Sequence, residues 1–127
     1  MIFSIPEVNA EKGLAFCDND TDMFLFILRS YVSNIPVTLD KIRTVSLETL
    51  NDYYIRVHGL KGTSANLGVE KISVAAKNLE IMAKAGDLNG VLADNDSFIK
   101  DLENTIAAIK AWLEQYDSKQ SSPQPQL

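Results

Sequence analysis

The 127-residue chain holds one histidine, His58, inside the run Val57-His58-Gly59-Leu60-Lys61-Gly62-Thr63-Ser64-Ala65-Asn66-Leu67-Gly68. Neutral imidazole is a nucleophile at physiological pH. Residues three and four apart are neighbours on a helix, so Lys61 and Gly62 flank His58, with Ala65 one turn further. The apolar stripe Val57, Leu60, Ser64 and Leu67 runs beside this face and leaves His58 at the rim, open to solvent. Gly62 and Ala65 clear the neighbouring surface of bulk, and the Lys61 ammonium overhangs it. An imidazole, a cation and cleared space form a site for a phosphoryl group. Glycine inside a helix costs about 1 kcal/mol relative to alanine, and such penalties gather at functional or tightly packed positions. Close helix packing at Gly62 is the alternative explanation.

Other chemistries lack their residues. With one histidine and one cysteine, Cys17, neither a His/Cys zinc site nor a disulfide can be built. Cys17 has no basic flank and reads as a small hydrophobe. The paired Glu-x-x-His of di-iron bundles and the GxxxxGK[ST] phosphate loop are both missing, so nothing suggests ATP binding or a kinase catalytic domain. Any phosphoryl group must come from a partner. Lys plus Arg number 12 against 17 Asp plus Glu, a net charge of −5, which argues against nucleic acid or an anionic membrane as partner. The N-terminus has no signal-peptide pattern and no run is long enough for a membrane span, so a cytoplasmic location is expected.

The elements positioning His58 read as helices. Prolines occur at 6, 36, 123 and 125, and no segment alternates at period two. A short helix is expected over 9–16. A second follows the N-cap candidates Asp18-Asn19-Asp20-Thr21, carries Met23, Phe24, Phe26, Ile27 and Tyr31, and reaches about 45, with Pro36 as a kink or interruption. The third begins at Ser46 or Thr49 with Leu50, Tyr53, Val57, Leu60, Ser64 and Leu67 inward, and Gly68 closes it. Helices over 69–85 and about 88–116 complete the set. Residues 1–116 are expected to form one all-α domain, an antiparallel four-helix bundle with a short additional N-terminal helix. The polar residues 117–127, with Pro123 and Pro125, read as a disordered tail or linker stump. Tyr53, Tyr54, Met82 and Trp112 read as packing residues.

The motif His58-x-Leu60-Lys61-Gly62-x-Ser64-x-x-x-Gly68 resembles the signature of histidine-containing phosphotransfer (HPt) domains, the intermediates of multistep two-component phosphorelays. The likeness extends over the helix order from about 9 to 116 and includes Asn9-Ala10-Glu11-Lys12-Gly13-Leu14 as a family-like first element. It implies that His58 is the phosphoacceptor, attacking through Nε2, that Lys61 screens phosphate charge, and that Gly62 lets the donor approach. Receiver domains of response regulators, or a hybrid histidine kinase, would be the partners. The chain itself would bind no cofactor, the Mg²⁺ for exchange belonging to the receiver. Gly62, Ala65, Tyr54 and neighbours from the preceding helix would form the docking face.

Glu80 adds to this set. Residue 69 marks a tight turn, and positions 58 and 80 are equidistant from it, so Glu80 lies level with His58 across an antiparallel hairpin. A carboxylate there accepts the Nδ1 hydrogen and holds the tautomer with Nε2 free. Family members carry Gln or Glu here, and Glu resembles chemotaxis-kinase phosphotransfer domains. Lys77 and Lys84, one turn to either side, are competing ion-pair partners. Two other functions fit the sequence: a receiver-docking adaptor that carries no phosphate, and the phosphoacceptor domain of a chemotaxis-type kinase. A monomer is expected, because His58 needs an open face and no coiled-coil repeat appears. Met1 favours a free-standing protein, whereas the Gln/Ser/Pro-rich end favours a linker stump.

Overall fold

The computed structural model describes residues 3–120, which form five α-helices and no strand: α1 (Ala10–Phe16), α2 (Thr21–Ile42), α3 (Leu50–Leu67), α4 (Glu70–Lys84) and α5 (Leu88–Gln120). The all-α expectation holds. None of these helices is long and apolar enough to cross a membrane.

Polar caps start the first two helices. Asn9 accepts from the Lys12 amide and Asp20 from the Met23 amide, each satisfying a donor that the helix itself leaves unpaired. Helix α2 continues through Pro36, held by the buried Ile35 and Leu39 on either side, and ends at Ile42, short of the expected 45. Its inward stripe is Phe24, Leu28, Tyr31, Ile35 and Leu39. Met23 and Phe26 lie outside it, with Phe26 65% exposed. Thr49 precedes α3 but bonds back to Ser46 and leaves the helix uncapped by a side chain.

The α3 stripe is buried as expected: Leu50, Tyr53, Val57, Leu60, Ser64 and Leu67. Gly68 ends the helix in the left-handed region at φ 83°, its amide returning to the Ala65 carbonyl and the Val69 amide to that of Ser64. The chain reverses there, and α4 runs back along α3. The Gly68 carbonyl accepts from the Asn9 amide at 2.8 Å, which ties the entry to α1 against this turn.

Helix α4 packs on both α3 and α5, and α2 also contacts both. One continuous set of buried side chains draws on all five helices and on Phe3 and Ile5. Tyr31, Ser64, Tyr53 and Asn95 are paired within it. The Tyr31 hydroxyl lies 2.7 Å from Ser64 Oγ, and burial pushes the Tyr31 phenol up to about 12. The Tyr53 hydroxyl donates to Asn95 Oδ1 at 2.7 Å, while Asn95 Nδ2 donates to the Ile42 carbonyl at 2.8 Å. This chain joins α3, α5 and the end of α2.

The last helix runs beyond the expected stop at 116. Residues 117–120 are helical, and Asp117 takes both guanidinium nitrogens of Arg29 at 2.7 Å, fastening this turn to α2. Within 117–120 the expected tail is therefore corrected to helix; residues 121–127 lie outside the described residues.

Candidate functional site

His58 stands on the exposed side of α3, its side chain 59% accessible. Its Nδ1 meets Glu80 Oε1 from α4 in a short hydrogen bond, and Lys61 Nζ donates to the other carboxylate oxygen, Oε2, at 2.7 Å. Glu80 is thus shared between the two candidate residues, and its side chain is only 11% accessible. Placing a carboxylate there is costly unless it is paired, and both of its oxygens are. The Lys61 hydrogen bond and then that of His58 draw the Glu80 carboxyl below its ordinary range, against the opposing effect of burial. Among the described residues Lys77 and Lys84 form no ion pair with it.

The turn at Gly68 produces this register. An antiparallel pair reversing near residue 69 sets 58 opposite 80, and Ser73 Oγ fastens the same hairpin by donating to the Lys61 carbonyl at 3.0 Å. With Glu80 accepting, Nδ1 carries a hydrogen, and in the neutral ring Nε2 then keeps its lone pair.

Gly62 faces open space. A Cβ built on it meets no atom within 4 Å, and the same holds for Gly59. Close packing therefore does not account for Gly62. Ala65 is partly exposed on α3, one methyl group on the same side as His58 and Gly62. Tyr54, one turn before His58, stacks its ring on the imidazole, with centroids 6.1 Å apart and planes inclined by 28°. Beside Gly59, an open groove of about 390 Å³ separates α2 from α3 and is lined by Ile27, Ser30, Asn34, Thr38, Ile55 and Thr63 among others.

Ser73 escaped the sequence reading and gave no signal beyond its place on α4. Tyr54 was named for packing and docking, but its contact with the imidazole was not, although a spacing of four brings side chains together on a helix. Among the described residues no three His, Cys, Asp or Glu side chains are grouped to hold a metal ion.

The ionised form of Glu80 stabilises the fold. Because its folded pKa is depressed, this contribution is complete above the usual carboxyl pKa and is lost as pH falls through and below it. Between about pH 5 and pH 3 the melting temperature of Glu80→Gln is expected to fall less steeply than that of wild type. Parallel curves in a calorimetric pH series would remove the carboxylate from this role.

Comparison of the chain with protein-family models finds no match, and comparisons with curated proteins and with solved structures find none either.

Proposed function

We propose that the chain is a histidine phosphotransfer domain, an antiparallel four-helix bundle with an added short helix, in which His58 shuttles a phosphoryl group between receiver aspartates. The observation that carries this reading is the arrangement around one exposed imidazole. Glu80 engages Nδ1, Nε2 is left free, Lys61 stands within the same network, and Gly62 leaves the approach clear.

In the transfer, the Nε2 lone pair attacks phosphorus of an aspartyl phosphate. The N–P bond forms as the P–O bond to the aspartate breaks, and the aspartate carboxylate leaves with the electron pair. The ring retains its Nδ1 hydrogen and becomes cationic, and the Glu80 carboxylate opposes that new charge. Phosphoryl transfer depends mainly on positioning and charge stabilisation, which these few groups supply. Lys61 would turn from Glu80 towards the phosphoryl oxygens. Mg²⁺ for the exchange would reside in the receiver.

Purified chain mixed with radiolabelled phospho-receivers should acquire phosphate that is labile to acid and stable to alkali. If it binds several receivers yet stays unlabelled, it is the docking adaptor instead. The carboxylate at 80 also favours a second reading, the phosphoacceptor domain of a chemotaxis-type kinase. Labelling by a separate ATP-binding kinase domain, with none returned from phospho-receivers, would select it.

Gly62 provides a test that separates folding from transfer. Gly62→Met fills space that is vacant in the fold and relieves an interior-helix glycine, so stability should rise by up to about 1 kcal/mol. The same side chain obstructs the partner, and labelling should slow by roughly tenfold or more. A thermal melt and a labelling time course read the two effects; unchanged labelling would take Gly62 out of the docking surface.

A further inference from the structure

Glu80 fixes only one edge of the imidazole. A single hydrogen bond at Nδ1 leaves the ring able to rock about that bond, and a side chain 59% exposed has few other neighbours to stop it. The remaining restraint visible in the structure is Tyr54. It belongs to the same helix, one turn earlier, and its ring lies against the imidazole at 6.1 Å with a 28° inclination, inside the range of a favourable offset aromatic pair. Tyr54 is itself anchored. It is half-buried, packs against the core, and sits with Leu50 and Ala83, both buried, where the start of α3 meets the end of α4.

Resting on the phosphotransfer reading of His58, we propose that Tyr54 is a positioning residue: its ring face and the Glu80 carboxylate together fix the imidazole plane, so that Nε2 is the nitrogen offered for phosphorylation. Glu80 restrains the ring in its plane, and Tyr54 restrains it perpendicular to the plane. With either one missing, the ring can turn over and present Nδ1 to solvent. The Tyr54 hydroxyl has no part in this; the aromatic face is what matters. In this role Tyr54 acts on His58 rather than on the phosphoryl group.

The experiment uses the whole chain and needs no cognate partner. Potassium phosphoramidate is the donor. Nε2 attacks its phosphorus, the N–P bond to the ring forms, and the P–N bond of the reagent breaks with ammonia as the leaving group. Wild type, Tyr54→Phe and Tyr54→Leu are compared after circular dichroism confirms that each is folded. Nitrogen-15 correlation spectra read the His58 tautomer, and phosphorus NMR reads which ring nitrogen is phosphorylated.

Wild type and Tyr54→Phe should both hold the Nδ1–H tautomer and give Nε2-phosphohistidine alone. Tyr54→Leu should show mixed tautomers, a detectable Nδ1 product and a rate roughly two- to tenfold lower. A residue that merely packs would alter stability and leave the tautomer untouched. If Tyr54→Leu keeps the wild-type tautomer and product, or if Tyr54→Phe fails like Tyr54→Leu, the positioning role is overturned. Failure of the relay reads differently: the tautomer results stand, while no receiver gives or takes the group.

Discussion

His58→Gln should abolish acid-labile phosphate uptake while leaving the fold intact. The side chain is largely exposed, and surface replacements of this kind shift stability by only about 0.5 kcal/mol, or roughly 2 °C in melting temperature for a domain of this size. Glutamine also retains an amide hydrogen that can reach Glu80 in place of Nδ1–H, and Lys61 continues to pair with the second carboxylate oxygen. What glutamine lacks is a basic nitrogen, so no N–P bond can form. Chain that still takes up acid-labile label after this substitution would remove His58 as the carrier, because no second histidine exists.

Gly68→Ala should be the most damaging single methyl group in the chain. Its φ of 83° lies where alanine is strained, and an added Cβ would run into the carbonyl oxygen of Asn9, a backbone atom that cannot rotate away. The expected loss is about 3 kcal/mol, a large part of the ~5–15 kcal/mol that holds a typical domain folded. Gly68→Asn tolerates the left-handed backbone better yet brings the same Cβ, so it should recover little. Urea midpoints measure both, and a loss below about 1 kcal/mol for alanine would show that the α1 entry yields. On the phosphotransfer reading the effect would extend to transfer, because this turn sets Glu80 level with His58.

The α3–α4 hairpin was legible in the sequence because local chemistry and symmetry agree there. A glycine that must be left-handed marks the centre of reversal, and both helices carry clean stripes, so residues 58 and 80 fall opposite by counting alone. Helix α2 was less legible. Met23 to Leu28 are apolar without a break, so several helical phases fit, and packing against the rest of the fold, Phe3 and Gly13 included, selects Phe24 and Leu28 over Phe26. The end of α5 failed for another reason. Asp117-Ser118-Lys119-Gln120 is polar and resembles a tail, but Arg29, 88 residues away in the chain, supplies the partner that holds it. Asn95 likewise reads as a solvent-facing helix residue until Tyr53 and the Ile42 carbonyl meet it in the core. The pairing of Tyr54 with His58 follows from spacing, whereas the inclination of their rings depends on rotamers that no linear pattern records.

The sharing of Glu80 has an electrical consequence. In the empty site a neutral imidazole, one ammonium and one carboxylate sum to zero. On the phosphotransfer reading, loading would make the ring cationic and add about two negative charges on the phosphoryl oxygens, so the same three residues would then sum to about −1. On a chain already at −5, the loaded form would carry one more negative charge at this face than the empty one. On that reading a visiting protein would meet a more negative field at the loaded site than at the empty one, with no movement of the backbone.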